Sequence, residues 1–354
     1  MRSAASIPRT DGAPLDRGDR PLRDVRLSVT DRCNFRCGYC MPAEIFGPSF
    51  AFLPRAELLT FEEIALVARE LVGLGARTLR VTGGEPLVRR DLERLIALLR
   101  SLDGAEALNG ERLDLALTTN GSLLAGLAEP LRSAGLDRVT VSLDSLNAAT
   151  FATMSGSALP LESVLDGIAA AGAAGFRGIK LNAVVRRGLN DEEIPALVEY
   201  ARAEGHTLRL IEYMDVGTTN GWHLEEVLPA SEIVERIHAL HPIEPIDPSR
   251  PGEVANRYRY LDGAGEVGII ASVTAPFCGD CTRARVSADG QLYTCLFAAT
   301  GSDLKPYLRP SPDPAGLLSA LRGIWEARSD RYSELRDAET PHRFPKVEMF
   351  RVGG

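Results

Sequence analysis

Six cysteines fall into two triplets with none between them: Cys33, Cys37 and Cys40, then Cys278, Cys281 and Cys295. A disulfide framework is denser and its chain shorter. Odd-numbered triplets suit two three-thiolate metal sites better than paired bridges. The first triplet reads C-x3-C-x2-C, three thiols within eight residues of a loop. Zinc sites usually take C-x2-C pairs and need a fourth ligand. A loop this tight can instead wrap one corner of a cubane 4Fe–4S cluster. It would ligate three irons and leave the fourth open to a small molecule. The second triplet reads C-x2-C-x13-C. That spacing alone suits zinc nearly as well as iron–sulfur. The histidines are His206, His223, His238, His241 and His342, of which His223 or His241 could complete a zinc site.

Other residues cluster at the ends of apolar runs. Val81-Thr-Gly-Gly-Glu-Pro86 closes one run. Paired glycines there let backbone lie against a ligand with no Cβ in the way. Glu85 reads equally well as a structural turn carboxylate. Thr118-Thr-Asn-Gly121, Ser142-Leu-Asp144, Lys180 and Met214 hold similar places. Singly, each has a plain structural reading as a turn, a helix contact or core filling; together they mark one rim. Arg283-Ala284-Arg285 follows the second triplet. On a strand, residues i and i+2 share a face. Two guanidiniums then form a forked donor array suited to phosphate or a purine edge.

The elements that must hold these residues show a β/α rhythm. Strand-like runs are expected at Val25–Thr30, Thr78–Thr82, Leu113–Thr119, Arg138–Leu143, Gly178–Val184 and Leu208–Tyr213. Helical periodicity separates them at Phe61–Leu74, Leu92–Leu102, Leu123–Ala134, Leu161–Ala174 and Asp191–Glu204, and returns at Gly316–Arg328. Six such units predict a parallel sheet with helices outside, as a doubly wound sheet or a barrel. Six are fewer than a full eight-fold barrel requires. After Tyr213 the rhythm breaks, placing a boundary near residues 215–225. Tyr258–Arg285 reads as irregular strands.

The chain has 354 residues, is 45% hydrophobic and 25% charged, and carries a net charge of −8. These values describe a globular chain of about two domains. The acidic balance argues against a nucleic-acid surface. No apolar run approaches the ~18 residues that cross a bilayer. Residues 1–24 mix Arg, Asp and Pro without a signal-peptide core, and read as a frayed or docking arm. A reducing cytoplasm follows, where thiolates stay available to metals.

C-x3-C-x2-C with Tyr39 before the last cysteine resembles the radical S-adenosylmethionine (SAM) superfamily. From about residue 22 onward the chain resembles one family within it, the GTP 3′,8-cyclases of molybdenum-cofactor (molybdopterin) biosynthesis. The resemblance is carried by Leu27-Ser-Val-Thr-Asp-Arg-Cys33, Val81–Leu87, Leu117–Gly121, Val141–Asp144, Leu210-Ile-Glu-Tyr-Met214, the second triplet and the final Gly353-Gly354. It implies a partial (β/α)6 TIM-like barrel over residues 25–220. Residues 221–354 would be a C-terminal extension carrying a second iron–sulfur cluster and a Gly-Gly tail.

The resemblance also implies roles. Cys33, Cys37 and Cys40 would hold one 4Fe–4S cluster. Cys278, Cys281 and Cys295 would hold another, facing it across the barrel, whose open iron takes the guanine. Tyr39, Gly84, Ser142 and Met214 would contact SAM. Arg26, Arg80, Thr118, Lys180, Arg283, Ala284 and Arg285 would contact GTP. Gly353 and Gly354 would reach into the active site as catalytic residues. A 5′-deoxyadenosyl radical would take the ribose C3′ hydrogen, and the C3′ radical would attack guanine C8. After reduction the product would be (8S)-3′,8-cyclo-7,8-dihydroguanosine 5′-triphosphate. Implied partners are a cyclic pyranopterin monophosphate synthase downstream and a flavodoxin or ferredoxin as electron donor, with the chain a monomer or homodimer. One departure is Phe350-Arg-Val before the glycines, where the family usually has smaller or more apolar residues. The rivals are a two-cluster radical SAM enzyme that modifies a peptide, and a zinc-stabilised nucleotide-binding protein without catalysis.

Overall fold

Short β-branched runs alternate with amphipathic helices to build one curled sheet. The computed structural model describes residues 12–104, 108, 110–336 and 345–353. Gly354, His342 and most of the first half of the N-terminal arm lie outside them. The six expected strands are present as β1 (Asp24–Ser28), β2 (Thr78–Thr82), β3 (Asp114–Thr119), β4 (Arg138–Ser142), β5 (Lys180–Val185) and β6 (Thr207–Glu212). Beyond them come β7 (Ile243–Ile246), β8 (Asn256–Tyr260), β9 (Glu266–Ile270), β10 (Arg283–Val286), β11 (Gln291–Tyr293) and β12 (Ser302–Asp303). Sheet order is β12-β11-β10-β1-β2-β3-β4-β5-β6-β9-β8-β7.

The stretch from β10 through β9 is parallel throughout. The sequence rhythm revealed six of these strands. The other two, β10 and β9, come from the C-terminal region and flank the six at opposite edges. The sheet therefore continues across the boundary expected near residues 215–225. Side chains from all of these parallel strands line one cavity, so the sheet curls into an open barrel around it.

Strand alternation sorts the residues into two layers. Val25, Leu27, Leu79, Val81, Leu115, Leu117, Val139 and Val141 face outward into the main core. Helices cover them. In α1 (Phe61–Gly73), Ile64, Val67, Ala68, Leu71 and Val72 are buried. Its N-terminus is a capping box: Glu63 N donates to Thr60 Oγ1 at 3.1 Å, and Thr60 N to Glu63 Oε2 at 2.7 Å. The remaining helices are α2 (Leu92–Arg100), α3 (Ala128–Ser133), α4 (Ala148–Ser155), α5 (Glu162–Ala173), α6 (Ile194–Ala203), α7 (Ala230–Leu240) and α8 (Pro314–Ala327), plus single turns at Tyr332–Leu335 and Met349–Val352.

Three helical regions differ from expectation. The helix expected over Leu123–Ala134 breaks into a 3₁₀ turn, Leu124–Gly126, followed by α3. Pro130 lacks an N–H, and its ring would clash with the Gly126 carbonyl of a continuous helix. Helix α4 was not expected, since its Ala/Thr sequence has little period. Asn147 nucleates it by accepting from Ala149 N and Thr150 N at 3.0 and 3.1 Å. Helix α7 was hidden in the segment where the rhythm broke. Among the described residues no helix is long and apolar enough to cross a membrane.

Candidate active site

The barrel encloses a cavity of about 540 Å³, and all six cysteines line it. Strand register places the two triplets. The first lies in the loop that leaves the C-terminal end of β1. Cys278 and Cys281 precede β10, which runs parallel to β1 with Asp24 opposite Arg283. Cys295 follows β11, which returns antiparallel. The second triplet therefore sits at the N-terminal end of the parallel strands. The triplets face each other along the barrel, separated by roughly the 16 Å that a five-residue strand spans.

The first loop is held by the strand ends beside it. Gly84 N donates to Thr30 O at 2.9 Å and Glu85 N to Arg32 O at 2.8 Å. A Cβ at Gly84 would stand 2.3 Å from Arg32 O, so only glycine lets the turn lie this close. Glu85 is buried and braces two strand ends. It accepts from Leu87 N at 2.9 Å, the Thr119 hydroxyl at 2.7 Å and Asn120 N at 2.7 Å. The turn-carboxylate reading of Glu85 thus matches its bonds. Tyr39 donates from its hydroxyl to Asp144 Oδ2 at 2.8 Å, while Val184 N donates to Asp144 Oδ1 at 2.8 Å. Burial pushes the Asp144 carboxyl up to about 6. Ser142 and Met214 line the same wall.

The thiols fit metal clusters on three grounds. All six are free and partly buried. Burial raises Cys33 to about 12 and Cys295 to about 11, so a bare pocket would keep these thiols protonated. A cationic metal is what makes buried thiols into thiolates. At Cys281 burial is outweighed by Arg283 and Arg328, which hold it near 6. Finally, among the described residues no group of three or more His, Cys, Asp or Glu converges on a single metal ion. Neither His223 nor His241 lines the cavity. His241 instead pairs with Glu199 at 2.6 Å. Among the described residues no histidine lines the cavity beside the thiols, and cysteines spread around a shared space suit a polynuclear iron–sulfur body.

Between the triplets the cavity is cationic. Arg285, Arg26 and Arg80 are register partners on β10, β1 and β2 and form one inward row. Adjacent strands lie ~4.8 Å apart, so like charges stack closely. Burial, then Arg285 and Arg283, holds Arg26 well below the usual arginine range. Burial lowers Arg80 and Arg285 to about 10 and Arg209 to about 9. Lys180 falls to about 8 through burial, then Arg209 and Arg138. Among the described residues, the buried Nε atoms of Arg26 and Arg283 have no hydrogen-bond partner. Thr118 accepts from Arg80 Nη1 at 3.1 Å. Such an arrangement could hold an anion inside a chain of net charge −8.

Ala284 is the exception among the expected contacts. Alternation turns its side chain to the opposite face of β10, against the core, and Ala284 is not among the residues that line the cavity. Sequence reasoning missed Arg209, Asn182 and Arg250, which also line the cavity. Arg209 Nε donates to Asn182 Oδ1 at 2.9 Å. A signal existed: Arg209 interrupts the apolar run Leu208–Tyr213, as Arg26 and Arg80 interrupt theirs.

The C-terminal segment enters the cavity. Lys346 Nζ donates to Asp215 O and Oδ2, both at 2.7 Å. Glu348 Oε1 accepts from Thr218 N at 3.0 Å and its hydroxyl at 2.7 Å. Phe350 packs edge-on against Phe46 of the first cysteine loop, with centroids 5.0 Å apart. The departure at Phe350 thus fills an aromatic pocket built by that loop. Gly353 O then accepts from Arg285 Nη1, and from Arg26 Nη1 at 3.4 Å.

Comparison with known proteins agrees with this geometry. The radical SAM superfamily matches residues 27–201, and the family described as Molybdenum Cofactor Synthesis C matches residues 206–334. The chain is 59% identical to the GTP 3′,8-cyclase of Acidothermus cellulolyticus, covering 90% of this chain and 87% of that one. It is 52% identical to that of Xanthomonas axonopodis pv. citri (97% and 99% covered) and 43% identical to that of Staphylococcus saprophyticus (96% and 98%). Among solved structures, methylornithine synthase shares the fold with TM-score 0.50 and 16% identity over 88% of this chain and 84% of that one. Full-length similarity at this level, on a barrel carrying the radical SAM cysteine loop, places the chain in the GTP 3′,8-cyclase family of radical SAM enzymes.

Proposed function

We propose that the cavity binds SAM against the first triplet and GTP between the arginine row and the second triplet, and that the chain performs the family's cyclisation of GTP there. The reaction opens molybdenum-cofactor biosynthesis. The observation that carries this reading is the inward row Arg285–Arg26–Arg80, buried between two cysteine triplets. When bound, iron–sulfur clusters and SAM supply the electron and the 5′-deoxyadenosyl radical that abstracts the ribose C3′ hydrogen.

The chain's own residues do the rest. Cys33, Cys37 and Cys40 would hold one 4Fe–4S cluster, and Cys278, Cys281 and Cys295 a second that receives the guanine. Tyr39, Gly84, Ser142 and Met214 line the SAM end. The Tyr39–Asp144 hydrogen bond fixes the loop wall there. Arg26, Arg80, Lys180, Arg283 and Arg285 neutralise the triphosphate, which relieves the repulsion stored among them. Thr118 orients Arg80. The Gly353 carbonyl keeps the guanidiniums of Arg26 and Arg285 aimed into the cavity. Phe350, packed edge-on against Phe46 and Phe50, forms the wall beside the first loop and keeps water from it. An electron donor such as a flavodoxin or ferredoxin and a downstream cyclic pyranopterin monophosphate synthase complete the setting. Free thiols throughout suit a reducing cytoplasm.

Anaerobic reconstitution tests the proposal. About eight irons per chain are expected for two cubanes. With dithionite and SAM, GTP should stimulate 5′-deoxyadenosine formation and yield the cyclised nucleotide. Failure of GTP to stimulate cleavage would remove the substrate assignment.

A further inference from the structure

We propose that Asp16, Arg20 and Arg328 form a buried clamp that positions the second cysteine triplet, so that the N-terminal arm sets the geometry of the substrate-side cluster. The inference rests on the reading that this triplet holds a cluster.

Asp16 is the hub. Its side chain is 0% exposed, and those of Arg20 and Arg328 are 4% and 2% exposed. Asp16 Oδ2 accepts from Arg20 Nε at 2.8 Å and from Arg328 Nη1 at 2.9 Å. Its Oδ1 accepts from Gly18 N and Arg20 N, each at 2.9 Å, which fixes the carboxylate. The two guanidiniums then reach the triplet from behind. Arg20 Nη1 donates to Cys278 O at 2.6 Å, and Arg328 Nη1 to Cys281 O at 2.7 Å. Arg328 Nε donates to Thr294 O, next to Cys295, at 3.1 Å. Every segment that carries a cysteine of the triplet is therefore gripped through a backbone carbonyl.

The arm is itself pinned. Trp325 Nε1 donates to Arg20 O at 3.1 Å, and Arg17 N to Arg328 O at 3.1 Å. Cys278 and Cys281 sit on a single 3₁₀ turn with few backbone bonds of its own. Such a turn has little stiffness without outside partners. Asp330 Oδ2, 3.4 Å from Arg328 Nε, is a second carboxylate at the clamp. Removing the Asp16 charge would take from Arg20 its paired carboxylate and leave Arg328 with the longer Asp330 contact, and the carbonyls they hold would lose their fixed donors. These three are positioning residues, since none lies in the substrate space except the edge of Arg328.

The test is Asp16→Asn, near-isosteric but uncharged, reconstituted anaerobically beside wild type and an exposed control on the same arm, Arg17→Ala. Wild type and control should hold about eight irons per chain. Asp16→Asn should hold about four. Its reduced low-temperature EPR spectrum should lose the component that shifts on adding GTP and keep the one that shifts on adding SAM. Its GTP-independent SAM cleavage should equal that of wild type. Should Asp16→Asn fail to fold by far-UV circular dichroism, Arg20→Lys is read by the same criteria. Full iron with a GTP-responsive spectrum in the variant overturns the clamp alone. Iron lost equally from both sites also overturns it, as a general folding defect. Only about four irons in wild type overturns the second-cluster reading and the clamp with it.

Discussion

Replacing Gly353 with alanine should slow cyclisation about 100-fold while leaving basal SAM cleavage intact. Gly353 has φ +69°. With ψ 124° this is a sparsely populated conformation that costs a residue with a side chain ~1–3 kcal/mol. Sterics add more: an alanine Cβ would stand 2.1 Å from Thr82 Cγ2 and 2.9 Å from its Oγ1. Ordinary contact begins near 3.4 Å, so the tail must retreat by about 1.3 Å. That retreat pulls the Gly353 carbonyl from Arg285 and Arg26 and lets both guanidiniums swing. A ~1 Å misplacement of a positioning group costs about 100-fold in rate. The assay is anaerobic turnover with 5′-deoxyadenosine and cyclised nucleotide quantified separately. Product formation should fall about 100-fold, with GTP-independent 5′-deoxyadenosine unchanged. Adding Thr82→Ala should restore part of the loss, because the nearest remaining side-chain atom, Thr82 Cβ, lies at 3.1 Å. Product formation within about threefold of wild type, a difference under 1 kcal/mol, would refute the reasoning.

Four further outcomes are expected. Lys180 has its pKa lowered to about 8, and only its charged form pairs with phosphate. The KM for GTP should therefore rise as pH climbs through 8, and Lys180→Arg, charged throughout, should flatten that profile. Arg285→Ala should weaken GTP use by about 10- to 100-fold, the equivalent of one buried charge-assisted bond of ~1.5–3 kcal/mol, without touching basal SAM cleavage; equal loss of both activities would contradict the division of the cavity. Cys33→Ala should abolish SAM cleavage altogether. Cys281→Ala should keep basal cleavage but lose about four irons and all cyclisation.

Much of the fold was legible because local patterns encode it. Apolar runs bounded by glycine mark β1 to β6, and the period of Phe61–Leu74 marks α1, because burial on one face imposes those spacings. Irregular strands were legible over Tyr258–Arg285, but the places of β9 and β10 at the edges of the parallel sheet were not. Their partners, β6 and β1, are chosen by pairings that no local pattern records, most of all between β1 and β10. Helix α4 escaped notice because its start is set by one Asn147 cap rather than by a periodic face.

At the site, cysteine spacing by itself determined where the thiols cluster, while it left open whether a histidine completes the second triplet. The strand-end residues and the Arg-x-Arg pair were visible for the same reason: their types and intervals are local chemistry. What only tertiary structure decided is the relation among them. Parallel pairing of β10 with β1 sets the triplets at opposite ends of one cavity. Register turns Arg285, Arg26 and Arg80 from scattered cations into a row, and alternation turns Ala284 away. Packing against Thr82 makes Gly353 obligatory, and burial of Asp16 ties the N-terminal arm to the second triplet. Spacing along a chain fixes which groups can act together locally. Charge proximity and steric fit depend on distances between segments far apart in sequence, and those exist only once the sheet has closed around its cavity.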